Sequence, residues 1–185
     1  YHTKLKYETL DKRYFPTKGL KTNISYTIYT NLHTNTAYSS LAAQVTKIFP
    51  ITLNTFIIPT IYGRFIFNDG IPFMYSNVIG GEGYNPHYEQ QIPFSGLTHT
   101  ESTLKLLGNA QIQVRHKFHE KQYLTLSGNY AIHQNQFSNF LQGKKIYGTS
   151  IGYGYDSPLG PIEGFICYSN RTNKLGFYLN IGFGF

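Results

Sequence analysis

The chain has no tryptophan, a single cysteine and few charges, and each shortage removes a class of protein. One cysteine, Cys167, rules out an intrachain disulfide framework. Charged residues make up 14% of the chain, well under the roughly 25% of an average globular protein. No run of about 18 apolar residues occurs, so no helix of this chain is expected to cross a membrane. That exclusion leaves β-barrels untouched, because their strands alternate and give weak hydropathy signals. The sequence opens on Tyr1-His2-Thr3-Lys4 without a secretory signal peptide, from which we expect a processed start or a piece of a longer protein. The net charge of +7 could suit nucleic acid, but the Lys and Arg residues are scattered among the strands rather than gathered in one stripe, and no nucleic-acid partner is expected.

What the chain does have is aromatic rings, 17 Tyr and 14 Phe. Tyrosine suits a membrane-water interface, where an apolar ring and a polar tip are both satisfied. The ending, Leu175 to Phe185, places Leu175, Phe177, Leu179, Ile181, Phe183 and Phe185 on one face of a strand. Gly176, Tyr178, Asn180, Gly182 and Gly184 make a small, mostly polar opposite row. A soluble protein would have to bury the greasy row; a transmembrane barrel turns it toward lipid.

The same period of two runs through the chain. Nine strands are expected: Thr3–Leu10, Leu20–Asn31, Tyr38–Phe49, Thr52–Phe67, Leu104–Phe118, Tyr123–His133, Lys145–Tyr155, Ile162–Tyr168 and Leu175–Phe185. In the fifth, Leu104, Leu106, Ala110, Ile112 and Val114 oppose Lys105, Asn109, Gln111, Gln113, Arg115 and Lys117, a polar face suited to a wet lumen. In the seventh, Tyr147, Thr149, Ile151, Tyr153 and Tyr155 are expected to face lipid. If Phe185 lies at the periplasmic end, the turns at Asp11–Gly19, Pro50–Ile51, His119–Lys121 and Asp156–Pro161 are periplasmic. The connections Leu32–Thr36, Asp69–Glu101, Gln134–Lys144 and Ser169–Asn173 are then extracellular; the short ones are mainly periplasmic and the longest all extracellular, in keeping with the asymmetry of such barrels. The expected fold is therefore all-β, a transmembrane antiparallel up-and-down barrel over residues 1–185 in a bacterial outer membrane. Nine is an odd count for a closed bacterial barrel, so we expect one miscounted strand or membership of a larger barrel.

Three motifs carry a resemblance. Asp11-Lys12-Arg13-Tyr14-Phe15-Pro16-Thr17-Lys18-Gly19 resembles the Asp-x-x-x-Phe-Pro-Thr-x-Gly turn of the outer-membrane barrel-assembly and translocation superfamily, the bacterial surface antigen family. Ser157-Pro158-Leu159-Gly160-Pro161 is similar to the turn before that family's penultimate strand, and Phe185, with Tyr178 and Phe183 in the same strand, to its closing insertion signal. The resemblance implies the last nine strands of a sixteen-stranded barrel. It implies as partners outer-membrane lipid, the assembly machinery that reads the last strand, and either missing N-terminal strands or a second copy. The family's long lumenal loop corresponds to 69–101, containing Ile79-Gly80-Gly81-Glu82-Gly83-Tyr84 and Gln91-Ile92-Pro93-Phe94-Ser95-Gly96. The family's loop arginine is missing. The pattern looks more like the branch whose barrel follows a patatin-type phospholipase domain in Bacteroides-type bacteria. That implies a barrel that anchors, and could translocate, an N-terminal lipase passenger. An assembly factor with upstream periplasmic repeats and a small lipid-modifying barrel are the alternatives.

Catalytic signals in this chain are thin. Gly148-Thr149-Ser150-Ile151-Gly152 spells a nucleophile elbow, but an elbow needs strand, sharp turn and helix, whereas this segment runs on as strand. A lipid-facing Ser-His pair could use His116 or His133, yet both are more simply read as wall or interface residues. His116-Lys117-Phe118-His119 puts its histidines on opposite faces of a strand, so no metal site is expected. No cofactor is expected either, and the chain is read as not an enzyme. The functional weight falls on the 69–101 loop, whose length marks it as functional or disordered. Gly80, Gly81 and Gly83 free its backbone, while Pro72, Pro86 and Pro93 stiffen it. It is read as a lumen plug, with Glu82 or Glu89 pairing Arg64 or Arg115.

Overall fold

Strict alternation of apolar and polar residues favours strands with one greasy and one wet face, and nine such strands form a single antiparallel sheet. The structure, a computed structural model, describes residues 1–31, 36–68, 72, 75–81, 90–97 and 100–182, with Asn31 by its backbone only. The first four strands are β1 (His2–Glu8), β2 (Gly19–Asn31), β3 (Thr36–Pro50) and β4 (Thr55–Ile66). Three short strands follow in the long loop: β5 (Asn77–Ile79), β6 (Gln91–Ile92) and β7 (Glu101–Thr103). The ladder resumes with β8 (Leu106–His119), β9 (Gln122–Gln134), β10 (Lys144–Ser157), β11 (Gly160–Ser169) and β12 (Leu175–Ile181). Its order is β1-β2-β3-β4-β8-β9-β10-β11-β12, a meander in which each strand pairs with the next one in the ladder. The expected all-β, up-and-down arrangement stands.

Register keeps the faces aligned across neighbours. Ile151 lies opposite Leu126 and Ile166, and Ile166 opposite Phe177. The outward row is exposed on every strand, with Ile112 at 53%, Leu126 at 55%, Ile166 at 54% and Phe177 at 66% relative accessibility. Burying each such side chain is worth about 1.5–3 kcal/mol, so a face this greasy with no protein layer over it belongs against lipid. The inward row is polar and buried instead: Asn109, Arg115, Thr125, Ser127, Asn129, Ser150 and Glu163. The sheet curls around this row, since Lys4 of β1 and Phe165 of β11 line one cavity. It stays open, with β1 and β12 as its edges.

Most expected boundaries move by one to three residues, some for a visible reason. The fourth strand begins at Thr55 rather than Thr52, because the Thr52 hydroxyl accepts from the Asn54 and Thr55 amides (3.3 and 3.0 Å) and folds 51–54 into the turn. The fifth begins at Leu106 rather than Leu104, because the Leu104 and Lys105 carbonyls are drawn into the loop by Asn77, both at 2.8 Å. Leu106 is also buried although it belongs to the outward row. There the connection after β9 folds back: a 3₁₀ turn, Phe137–Gln142, sets Phe137 and Phe140 against Phe65 at 5.6 and 6.3 Å, and Phe65 is the cross-strand partner of Leu106. The turn expected over Asp156–Pro161 is narrower, since Asp156 pairs with Pro161 and Ser157 with Gly160, leaving only Pro158 and Leu159 as the turn.

Candidate functional site: an interior closed at both ends

The interior has a loop end, where the described residues between β4 and β8 and the connections after β9 and β11 lie, and a turn end, where β1–β2, β3–β4, β8–β9 and β10–β11 turn. At the loop end, residues between β4 and β8 cross the inside of the sheet. Tyr75 packs on Tyr29 of β2 at 4.2 Å between ring centroids. Arg64 of β4, buried, donates to Asn77 Oδ1 at 2.7 Å and to the Tyr75 carbonyl at 3.4 Å, and also reaches Ser40 Oγ at 3.3 Å. Asn77 passes the connection on to the Leu104 and Lys105 carbonyls, tying the loop's two stems together.

Beyond the stems the loop builds a fold of its own. β5 pairs parallel with β6 and antiparallel with β7. Gly80 and Gly81 both hold positive φ, 128° and 79°, a conformation that glycine adopts without a steric penalty. Their amides donate to the Ile92 and Leu97 carbonyls (2.9 and 2.5 Å), the Phe94 amide returns to the Gly81 carbonyl at 2.8 Å, and Gln91 Nε2 donates to the Gly80 carbonyl at 2.8 Å. Ile79, Ile92, Phe94 and Leu97 then form one apolar cluster with Leu107, Ala131 and Ile146 of the wall. The two loop segments that carried the resemblance are thus hydrogen-bonded to each other and packed against β8, β9 and β10.

The tip is held by hydroxyls and one amide. Ser150 Oγ donates to Ser95 Oγ at 3.2 Å and shares a hydrogen bond with Ser127 Oγ at 3.1 Å. The carboxamide of Asn129, with its oxygen turned to the loop, accepts from the Ser95 amide at 2.6 Å and its hydroxyl at 3.2 Å. The approach is so close that a Cβ at Gly148 would overlap the Ser95 carbonyl oxygen.

The turn end is closed by different chemistry. Asp11 folds the β1–β2 turn by accepting from the Thr17 amide (2.8 Å), the Thr17 hydroxyl (2.5 Å) and the Lys18 amide (3.2 Å). Partial burial pushes the Asp11 pKa up, but these three hydrogen bonds more than offset it and hold the carboxyl below its usual value. Phe15, at φ 45°, turns inward and is 1% exposed. Its ring stacks on Tyr123 at 4.2 Å and 5°, with the Arg115 guanidinium 5.4 Å from its centroid. Leu10 packs beside it on Ile48, Phe56 and Ile58.

Between the closures lies a cavity of about 580 Å³. Its wall mixes carboxamides and hydroxyls, including Asn23, Gln44, Thr60, Gln111, Gln113 and Thr125, with the charged Lys4, Lys21, Arg115 and Glu163 and the apolar Ile48, Ile58 and Phe165; the loop residues Gln91 to Pro93 lie above and Leu10, Arg13 and Pro16 below. A wall of this kind solvates polar chain and water. Among the described residues no group of three His, Cys, Asp or Glu side chains could hold a metal ion.

The residues singled out from the sequence fall into two groups. Gly80 and Gly81 stand at the folded loop's turning point; Arg64 reaches that loop through Asn77 and Tyr75, and Arg115 lies at the turn end over Phe15. Glu82, Gly83 and Glu89 lie outside the described residues, as do Phe183 and Phe185, so the carboxylate partners expected for the two arginines are not placed. Asp11, Phe15, Pro16 and Gly19 build the turn, and Ser157 Oγ donates to the Gly160 carbonyl at 2.5 Å across Pro158. Tyr178 sits on the inward row opposite Phe165. Ser150 sits mid-strand in β10 and grips the loop, while His116 bonds Thr55 Oγ1 (2.9 Å) and His133 Nδ1 accepts from the Leu104 amide (3.3 Å). Asn77, Ser95, Ser127 and Asn129 went unread, since a small polar residue on a lumenal row carries no signal until its opposite number is known.

A family model described as the OMP85 superfamily matches residues 1–185. No curated protein matches the chain.

Proposed function

The chain belongs to the OMP85 superfamily of outer-membrane β-barrels, and on that footing we propose that it anchors, and lets through, an N-terminal patatin-like phospholipase passenger. What supports this reading is the loop itself: Gly80-Gly81 hydrogen-bonded to the Gln91-Ile92-Pro93-Phe94-Ser95-Gly96 segment and packed inside the sheet against β8, β9 and β10. That pair of segments is the one whose pattern resembles the barrels of patatin fusions. Among the described residues, Ser95 is gripped by neutral hydroxyls and an amide. The barrel supplies lipid anchorage through its outward rows, and its wet, plugged interior supplies a path that opens when the loop undocks. Any lipase chemistry then resides upstream of Tyr1.

The test is made on the full-length gene product. The reading expects an upstream patatin fold, lipase activity that sediments with the outer membrane, and loss of that sedimentation when residues 1–185 are deleted. Periplasmic repeats upstream, with defective insertion of other barrel proteins after deletion, would replace it with the assembly-factor reading that superfamily membership also supports.

A further inference from the structure

We propose that the turn between β1 and β2 is a gate for the turn-end mouth, separate from the loop, with Phe15 as the part that closes it. The proposal rests on the barrel reading and goes beyond it, because nothing in an anchor requires a hairpin turn to enter the lumen. Most hairpin turns lie outside their sheet. This one sends Phe15 to Tyr123 on β9 and Arg115 on β8, although β2 is separated from β8 in the ladder by β3 and β4. To make those contacts the turn must span the mouth.

Three features suit it to move as a unit. The Asp11 hydrogen bonds to Thr17 and Lys18 make residues 11–18 a preformed piece. That piece joins the ladder at Gly19, whose φ of 124° few other residues adopt. Its deepest purchase on the far wall is one ring, held in the left-handed region at φ 45°, a conformation that persists only where surroundings impose it. The far wall is shaped for the ring: a Cβ at Gly154 would stand 2.8 Å from it. Thr125, buried and two residues along β9 from Tyr123, lines the cavity behind the ring and so lies in its shelter.

The experiment uses the full-length protein reconstituted into liposomes with its turn end outward, with Cys167→Ser to remove this native thiol and Thr125→Cys as the reporter. A charged, membrane-impermeant methanethiosulfonate is added from the turn-end side, and heat-modifiable migration is scored on the same samples. With Phe15 present the reporter should react slowly. Phe15→Ala should speed labelling about tenfold or more, as expected when a local closure is lost. Gly154→Ala, which displaces the ring without deleting it, should do the same and serves if Phe15→Ala fails to fold. Labelling unchanged by a variant that still migrates as a folded barrel overturns the gate. Absence of heat-modifiable migration in the unsubstituted protein would instead overturn the barrel reading.

Discussion

The two ends of the interior are closed by different materials. At the loop end the closure is distributed over a seven-residue apolar cluster, a three-stranded sheet, the Arg64–Asn77 stem and the Ser95–Ser150–Asn129 grip. At the turn end it centres on one aromatic ring against Tyr123 and Arg115, with Leu10 on Ile48, Phe56 and Ile58, Arg13 and Pro16 facing the cavity, and a carboxylate that keeps the turn folded. A distributed closure loses little when one contact goes and yields only to a change that pushes the whole loop away. A closure centred on one ring is switchable by that ring.

The largest effect should therefore come at the loop end from steric displacement rather than from deletion. Gly148→Val places side-chain atoms where the Ser95 carbonyl oxygen sits. Overpacking typically costs about 1–3 kcal/mol, and a clash with backbone lies at or beyond the top of that range. Cys167, buried on the inward row beside the Tyr168–Ser169 backbone that Gly96 abuts, should become thiol-reactive. If it stays protected, the loop does not rest on β10 as described.

Next comes the stem. Asn77→Leu leaves the buried Arg64 without that acceptor and the Leu104 and Lys105 carbonyls without that donor, a loss of roughly 1–3 kcal/mol by the cost of stranding buried polar groups. A lowered melting temperature with Cys167 still protected is expected, because the apolar cluster remains. Ser150→Ala should be smaller, about 1 kcal/mol, since Asn129 still holds Ser95. A Ser150→Ala effect equal to that of Gly148→Val would mean that the grip is not distributed.

The smallest effect is one of pH and belongs to the turn end. Because folding lowers the Asp11 pKa, its contribution to the turn is present above the ordinary value of 3.8 and is lost as pH falls through and below it. Melting temperatures of the unsubstituted protein and Asp11→Asn, measured in detergent, should differ near neutrality and converge below that value. A gap that stays constant across the range would remove the carboxylate from the account.

What could be read from the sequence divides along the same line. The nine strands and their faces follow from a period-two pattern, which survives any tertiary detail because it is the cause of the arrangement: Leu124 and Leu126 point out, Thr125 and Ser127 in. The Asp11 turn was recognisable as a turn, but that Phe15 would leave it for the far wall depends on a partner more than a hundred residues away. Inside the loop, β5, β6 and β7 are two or three residues each, too short for any periodicity. Ser150 shows the limit most plainly. Its glycine-flanked context suggested either an enzyme's nucleophile or nothing, and its role as a grip needed Ser95 to be brought 55 residues along the chain to meet it.

The ladder's order also bears on how the chain assembles. Every strand pair but one is a hairpin with a short connection, the kind of contact that forms early because little chain must be closed to reach it. The exception is β4 with β8, across all of residues 67–105. Compared with a four-residue turn, that connection is longer by about three doublings, roughly 2 kcal/mol of extra closure entropy. We expect the chain to zip as two meanders, β1–β4 and β8–β12, whose joining is the slow step. The stem contacts of Arg64, Asn77 and Lys105 sit at that seam, so the plug is seated as the halves meet rather than inserted afterwards. Pulsed hydrogen exchange should protect β9–β10 and β2–β3 before β4–β8; simultaneous protection of all three would contradict this order.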